Sequence, residues 1–246
     1  MLLSHRIFEN GPPLLLLHGM GVTYPIWENL LPLLIPYYKL ILVELPGHGS
    51  SPPLPRDTSF YEISASMIEG LRQELRIDRW SILGYSTGTR VLQEYLMRYP
   101  ERVERAIYLC PLLAKPACSF ALKGLIRIDL QFPWLGSWLL RGWRLHQLVL
   151  LFGFNGLEHP DAAMWTREIA SQPVEVMKAL LKDLPGAGRD PFEISPVPAL
   201  FIWGDRDRIV ESPRWPGTMD RIVKGGHSLP MLAAQDVSKY ILPPYH

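Results

Sequence analysis

The sequence predicts an α/β fold, in which a mostly parallel, twisted β-sheet is flanked by helices. Short, nearly continuous apolar runs recur along the chain, as expected for strands buried on both faces of a parallel sheet. Helix-length segments such as 61–76 and 87–99 separate these runs, and in the second one Val91, Leu92 and Tyr95 recur at helical spacing. Alternating strands and helices are typical of sheets with right-handed crossovers. The apolar runs are Leu14 to Leu17, Leu40 to Val43, Trp80 to Leu83, Ala106 to Leu109 and Ala199 to Trp203.

The alternation stops between about Leu112 and Ser195, where helix-forming residues dominate and no buried strand is evident. We interpret residues 112–195 as an inserted helical cap, and residues 1–111 and 196–246 as the core. Aromatic residues crowd the first half of the cap and indicate an apolar pocket, although each one taken singly is more typical of the cap's own core. These residues are Phe132, Trp134, Trp138, Trp143, Phe152 and Phe154.

Composition excludes several other classes of protein. The chain has 25 Lys and Arg against 24 Asp and Glu, which gives a net charge of +1. This charge is too small to create an electrostatic field that would attract nucleic acid. Cys110 and Cys118 are too few for a disulfide framework, which favours a reducing, cytoplasmic setting. His5 and Arg6 interrupt any export signal, and the apolar stretch 145–154 falls short of the roughly 20 residues that span a bilayer. We therefore expect no transmembrane segment.

Ser86 is the candidate nucleophile. The apolar run from Trp80 leads directly into Gly84-Tyr85-Ser86-Thr87-Gly88, and a helical pattern follows. This is the G-x-S-x-G pattern in the strand-to-helix context in which it is informative, because the sharp turn exposes the serine hydroxyl. The two glycines let neighbouring backbone approach without a clash at Cβ. The pentapeptide alone would also fit an ordinary turn, so the interpretation depends on the flanking strand and helix.

A serine hydroxyl needs a base and usually a carboxylate that orients the base. His227 lies in Gly225-Gly226-His227, after the last short apolar segment, and is the candidate base. The other histidines are less suitable. His18 and His48 resemble loop-bracing residues beside glycines, and the rest are His5 and His246 near the termini and His146 and His159 in the cap.

Two aspartates compete for the role of the acid. Trp203-Gly204-Asp205-Arg206-Asp207 leaves an apolar strand, and we favour Asp207 because the carboxylate must pass the glycine turn to reach the imidazole. Asp205 then caps the loop or pairs with Arg206 or Arg208. The segment after Leu109 contains no carboxylate near Cys110.

An oxyanion hole requires two backbone donors. The amide of Thr87, directly after the nucleophile, is one candidate. The amide of Met20 is the other, because His18-Gly19-Met20-Gly21 follows an early strand and its glycines permit a tight fold-back. An ordinary glycine turn would give the same local pattern.

With HGMG, ELPGHGSS, GYSTG, WGDRD and GGH in this order, the sequence from about Leu14 to Leu242 resembles the α/β-hydrolase superfamily. The resemblance implies an eight-stranded, mostly parallel sheet, a variable cap and the chain order Ser, Asp, His. It also implies a structural loop at 44–49, where Glu44 stands in place of the more usual Asp. Two departures are visible. The chain begins about ten residues before the HGMG strand, so one leading antiparallel strand is expected to be lacking, and the 19 residues between Asp207 and His227 leave little room for a helix.

The nucleophile narrows the chemistry. Relatives of this superfamily that act as dehalogenases or epoxide hydrolases use an aspartate at the elbow, and the serine argues against both. No dinucleotide fingerprint, P-loop or metal-ligand cluster is evident, so we expect no cofactor and no metal. The leading hypothesis is a carboxylesterase that forms an acyl-enzyme on a small, largely apolar ester. Lipase, thioesterase, peptide-releasing or carbon–carbon bond hydrolase activity would use the same residues, and a non-catalytic small-molecule receptor on this fold is the competing class.

The cap also permits a membrane-surface interpretation. Lys123, Arg127, Arg141 and Arg144 interleave with its aromatic residues, as in interfacial amphipathic helices. A helix packed on the sheet with a basic solvated side would show the same pattern.

Overall fold

The computed structural model describes residues 2–55, 58–112, 142–157, 159–183, 197–213 and 216–243, together with a few single residues between 124 and 138. A seven-stranded sheet in the order β1-β3-β2-β4-β5-β6-β7 forms the centre. All neighbouring strands are parallel except β1, which pairs antiparallel with β3. The strands are β1 His5–Phe8, β2 Pro13–Leu17, β3 Lys39–Val43, β4 Trp80–Tyr85, β5 Val103–Leu109, β6 Ala199–Gly204 and β7 Asp220–Val223.

Helices cover both faces of this sheet. Two apolar clusters, one on each side, contain the alternate side chains of the central strands. The α-helices are α1 Leu31–Leu34, α2 Phe60–Glu74, α3 Thr87–Arg98, α4 Gly142–Gly153, α5 Pro160–Ser171, α6 Val174–Asp183, α7 Leu229–Leu232 and α8 Ala234–Ile241. None of the helices in the described ranges combines the length and the apolar character that a bilayer span requires.

The predicted α/β class and its five buried strands are confirmed. Leu14, Leu40 and Ile82 on the central strands are fully buried, which explains the continuous apolar runs. The two strands that the sequence did not predict, β1 and β7, lie at the sheet edges and are only partly buried. The described residues give seven strands where the resemblance implied eight, and β1 is the one strand among them that pairs antiparallel.

The regular secondary structure in the described part of the segment between β5 and β6 is helical. It contributes α4, α5 and α6, and no strand is found in the described part of 112–195. Phe154 is buried, as expected of an aromatic residue in the core of such a segment. Phe132, Trp134 and Trp138 are not: their exposed fractions are 50%, 70% and 49%. The expectation of a core position is wrong for these three, because their side chains are exposed to solvent.

Of the four basic residues that suggested a membrane-facing surface, Arg144 is the one within the described residues. Lys123, Arg127 and Arg141 lie outside the described residues. The guanidinium of Arg144 lies over the Trp138 ring, 3.8 Å from the centroid, and its Nε donates a hydrogen bond to the Trp138 carbonyl. This contact is the cation–π pairing of an exposed aromatic residue.

A buried ion pair within α2 is hydrogen-bonded to α3, the helix that follows Ser86. The Glu69 carboxylate accepts hydrogen bonds from Arg72 at 2.7 and 2.9 Å, from Tyr95 of α3 at 2.8 Å and from Gln73 at 2.9 Å. Burial alone would raise the pKa of Glu69, but these hydrogen bonds outweigh it and lower the pKa to about 2. The charged network therefore holds α3 in place behind the nucleophile.

Glu69→Gln is expected to lower the free energy of unfolding by about 3 kcal/mol at pH 7, because the buried Arg72 loses its charged partner. The pKa of Glu69 is lowered on folding, so its contribution is present above about pH 4.5 and is lost as the pH falls through about 2. Urea unfolding of both proteins from pH 7 to pH 3 measures this difference. Glu74→Gln, an exposed change on the same helix, is the matched control. Equal stability of wild type and Glu69→Gln at pH 7 would contradict the prediction.

Candidate active site

The backbone of Ser86 is held in a conformation that few residues adopt. Its φ of 52° and ψ of −119° place it between the end of β4 and the start of α3. Such a conformation costs on the order of 1–3 kcal/mol. The surrounding hydrogen bonds compensate: the Ser86 amide donates to the Leu109 carbonyl at 3.0 Å, and the Thr89 amide donates to the Ser86 carbonyl at 3.0 Å. The strand-to-helix elbow predicted from the sequence is thus present.

Glycine is required on both sides of this elbow. A Cβ at Gly84 would lie 2.6 Å from the carbonyl oxygen of Gly88, and a Cβ at Gly88 would overlap the carbonyl oxygens of Leu17 and His18. At both positions the Cβ would come closer to a carbonyl oxygen than a carbon–oxygen contact allows. The pair of glycines therefore lets α3 begin directly against the end of β2.

The structure brings Ser86, His227 and Asp207 together. Ser86 Oγ lies 2.9 Å from His227 Nε2, and His227 Nδ1 lies 2.7 Å from Asp207 Oδ2. Because an ionised carboxylate only accepts hydrogen bonds, Nδ1 carries the proton and Nε2 is left to accept from the serine hydroxyl. The three side chains thus form a continuous hydrogen-bonded chain in which a proton can move from Ser86 to His227.

The Asp207 carboxylate is buried but remains ionised. Its second oxygen accepts hydrogen bonds from the amides of Ile209 and Val210 at 2.8 and 3.0 Å. Burial alone would raise the pKa of Asp207, but the adjacent His227 and these two amides outweigh it and lower the pKa. The carboxylate therefore stays charged at neutral pH, as orienting an imidazole requires.

Asp205, the competing aspartate, points elsewhere. Its carboxylate is 40% exposed, accepts a hydrogen bond from the Gly225 amide at 2.8 Å and pairs weakly with Arg206 at 3.5 Å. This agrees with the expected role of the aspartate that does not contact the histidine. Asp205 ties the loop of His227 to the end of β6. The described residues between β6 and β7 contain no helix, as expected from the spacing between Asp207 and His227.

Two buried side chains hold the main chain of His227. The Tyr85 hydroxyl donates to the His227 carbonyl at 3.0 Å, and the Cys110 thiol lies 3.3 Å from the same oxygen. Burial, followed by the nearby Asp207 charge, raises the pKa of the Cys110 thiol well above its usual range, and burial does the same for Tyr85. Both groups therefore remain protonated and can donate.

Cys110, Asp207 and His227 are the only grouping within the described residues with the residue types of a metal site, with ligand atoms within 4.8 Å of one another. A metal would need the thiolate, which the raised pKa disfavours, and the Nδ1 that already donates to Asp207. The hydrogen-bonded arrangement accounts for all three groups without a metal.

Two residues that line the cavity have backbone amides without an acceptor among the described residues. Met20 and Thr87 both line the cavity above the serine. Neither amide donates a hydrogen bond to any residue that the structure describes. These are the two donors that the sequence suggested for an oxyanion hole.

A reciprocal pair of neutral histidines supports the Met20 loop. His18 Nε2 accepts from the Leu45 amide at 2.9 Å, and His48 Nε2 accepts from the Gly21 amide at 3.3 Å, so each loop binds the other. Burial, followed by the neighbouring His48, lowers the pKa of His18 to about 3, and burial lowers that of His48 to about 4. Both rings are neutral at pH 7 and can accept. The two histidines brace the loops, as the sequence indicated.

The helices between β5 and β6 form the opposite wall of the cavity. Glu168 of α5 accepts from the Thr23 amide at 3.1 Å and from the Thr23 hydroxyl at 2.8 Å, close to the Met20 loop. The volume of this open cavity is about 160 Å³. Its lining on this side is apolar: Leu145, Leu148, Val149, Phe152, Trp165, Ile169 and Met177.

Three residues in or near the site were missed by the sequence analysis. Tyr85 lies inside the serine motif, where its position as a variable residue hid its role. Cys110 follows β5, where only a carboxylate was sought. Glu168 carries no local signal, since its partner Thr23 is 145 positions away.

The chain is similar in sequence to curated esterases and hydrolases. A segment of 101 residues, 39% of the chain, is 38% identical to a pimeloyl-[acyl-carrier protein] methyl ester esterase of Photobacterium profundum, of which it covers 36%. Over 225 residues, 82% of the chain, it is 26% identical to 73% of a 2-hydroxy-6-oxononadienedioate/2-hydroxy-6-oxononatrienedioate hydrolase of Pseudomonas putida. The chain thus spans little more than a third of the first curated relative.

Solved structures share the fold. A thermophilic esterase from Thermogutta terrifontis superimposes with a TM-score of 0.77 at 21% identity, covering 97% of this chain and 91% of that one. The model of the alpha/beta hydrolase fold family matches residues 12–233. The chain therefore belongs to the alpha/beta hydrolase fold family.

Proposed function

We propose that the protein is a serine carboxylesterase that cleaves small, largely apolar esters through an acyl-enzyme. The observation that carries this proposal is the chain of hydrogen bonds from Ser86 through His227 to Asp207 at the base of an apolar cavity. A buried, oriented base next to a strained serine that lines a cavity is the arrangement that nucleophilic catalysis needs. The methyl ester esterase among the relatives also supports ester chemistry.

The proposed reaction has two halves. Ser86 Oγ attacks the ester carbonyl while its proton passes to His227 Nε2, and the amides of Met20 and Thr87 stabilise the oxyanion. Collapse releases the alcohol, which takes the proton from His227. Water then gives a proton to the same nitrogen and attacks the acyl-enzyme, and the acid leaves as Ser86 regains its proton. Asp207 remains ionised and orients the imidazole throughout.

We further propose that residues 112–195 act as a cap over the core formed by 1–111 and 196–246. Helices α4, α5 and α6 cover the cavity, and Ser228 Oγ of the His227 loop donates to the Gly153 carbonyl at the end of α4. The proposed setting is the reducing cytoplasm, which the free, buried Cys110 thiol supports.

The cavity favours an uncharged acyl group. A cavity of similar size accommodates a benzene-sized group, so about six carbon atoms would fit. The hydrolase of Pseudomonas putida is named for a dioate, which carries two carboxylates. Within the described residues, no Lys or Arg lines this cavity to pair with such charges. An apolar ester therefore fits better than a carbon–carbon bond hydrolase substrate of that kind.

A fluorophosphonate probe tests whether the serine is activated. We expect it to label wild type on Ser86, and Ser86→Ala to lose labelling and at least about 10⁴-fold in kcat toward p-nitrophenyl butyrate. Mass spectrometry of the labelled peptide identifies the site. Ser64→Ala, whose hydroxyl donates to the Phe60 carbonyl on α2, is the control and should react like wild type. Folded wild type that resists the probe would support the receptor alternative.

The two aspartates can be separated by the same substitution. Asp207→Asn is expected to lower kcat by about 10⁴-fold, because it favours the wrong imidazole tautomer. Asp205→Asn should change kcat by less than about tenfold, since Asp205 contacts only the loop backbone and Arg206. Circular dichroism checks that both variants are folded. The reverse order of losses would assign the acid to Asp205.

A series of p-nitrophenyl esters measures the cavity. We expect kcat/KM to rise about fourfold per added methylene up to about six acyl carbons and then to fall, as the apolar space is filled. Val149→Ala removes part of the cavity wall and so enlarges the cavity, and it should move the optimal ester to one with a longer acyl chain. Leu151→Ala on the same helix removes an exposed side chain and should leave the optimum unchanged. An optimum that is identical in all three proteins would place the acyl group elsewhere.

A further inference from the structure

The hydroxyl of Thr87 is buried and has no hydrogen-bond partner among the residues that the structure describes. The residue as a whole is 2% exposed. Two positions later, the Thr89 hydroxyl donates to the Ser86 carbonyl and accepts from the Leu112 amide at 3.0 Å. The same residue type is thus fully paired at 89 and unpaired at 87, one residue from the nucleophile.

An unpaired buried hydroxyl destabilises a folded protein, because it loses its hydrogen bonds to water and gains none. Valine has nearly the same shape and would avoid this cost. The polar group at 87 therefore contributes nothing to the stability of the empty site. A group of this kind is complementary to a ligand that arrives with an acceptor.

The position of Thr87 identifies the acceptor. Thr87 is the first residue of α3 and lines the same cavity as Ser86, Gly19, Met20 and His227. Its amide is also free of partners within the described residues. Rotating the Thr87 side chain by 120° about its Cα–Cβ bond moves the hydroxyl into the direction of the methyl group and the methyl group into that of the hydrogen. Among the other described residues that line this end of the cavity, the side-chain polar groups are already hydrogen-bonded: Tyr85 to the His227 carbonyl, and Ser86 and His227 to each other.

We propose that the Thr87 hydroxyl is a third donor to the oxyanion, so that Thr87 supplies both its amide and its side chain to the same oxygen. This inference rests on the proposed esterase function. As Ser86 Oγ bonds to the carbonyl carbon, the π electron pair moves to the carbonyl oxygen, and the hydroxyl donates a hydrogen bond to it without transferring its proton. A hydrogen bond to a charged oxygen is stronger than one to a neutral carbonyl, so the effect is largest in the transition state.

Thr87→Val removes the hydroxyl and keeps the shape. We expect kcat toward p-nitrophenyl butyrate to fall about 10²-fold with KM changed less than about threefold, as for the loss of one oxyanion donor. Thr87→Ser keeps the hydroxyl and should retain kcat within about fivefold. Urea unfolding should show Thr87→Val to be at least as stable as wild type, because the unpaired group is gone. Thr58→Val, a matched change far from the cavity, should not alter kcat.

Phenylboronic acid provides a second readout. Ser86 Oγ adds to its boron, and one boronate oxygen takes the place of the oxyanion, so the inhibition constant should rise in Thr87→Val by about the factor lost in kcat. Wild-type kcat in Thr87→Val, or an increase in KM alone, would overturn the inference. Equal losses in Thr87→Val and Thr87→Ser with lowered stability would assign a structural role instead. If wild type neither hydrolyses the esters nor reacts with fluorophosphonate, the proposed function and this inference are both overturned. If wild type is labelled and Thr87→Val is fully active, the inference alone is overturned.

Discussion

The strained backbone of Ser86 is the constraint on which the rest of the site depends. A residue with a φ of 52° at the end of a strand is stable only where its neighbours leave no alternative. Here β4 is paired on both sides, by β2 and β5, and α3 starts immediately afterwards. The two glycines at 84 and 88 allow that close approach, and the Glu69 network fixes α3 from behind. The serine hydroxyl is presented by the rigid part of the molecule.

The histidine that pairs with the serine is positioned by hydrogen bonds instead of by backbone strain. His227 lies in a loop rather than a regular element, so its position depends on hydrogen bonds from several sides. Tyr85 and Cys110 bind its carbonyl, Asp207 binds its ring, and Asp205 binds the backbone two residues before it. Every one of these donors or acceptors comes from the carboxyl end of β4, β5 or β6. The parallel sheet thus gathers at one edge what the chain distributes over more than a hundred residues.

The sequence predicts those parts whose signals are local. Buried strands appear in the sequence as apolar runs and the serine elbow appears as a pentapeptide, so both were predicted. The edge strands β1 and β7 carry polar residues and were not predicted. The preference for Asp207 over Asp205 depended on the distance that a carboxylate must reach past the Gly204 turn, and Asp207 lies beside His227 in the structure. The contact of Glu168 with Thr23 and the direction of Trp134 depend on how helices pack, which no spacing in the sequence encodes. Physical constraints that act between distant residues were the ones that the pattern did not reveal.

The double hydrogen bond between Glu168 and Thr23 has a mechanical consequence. Thr23 is three residues from Met20, and Glu168 is next to Ile169, which lines the cavity. Any swing of α5 away from the sheet must either break both hydrogen bonds or pull the glycine-rich loop with it. Opening of the cavity and the shape of the oxyanion site are therefore coupled. Helix α5 cannot move away from the sheet without disturbing the Met20 loop, against which a substrate carbonyl would bind.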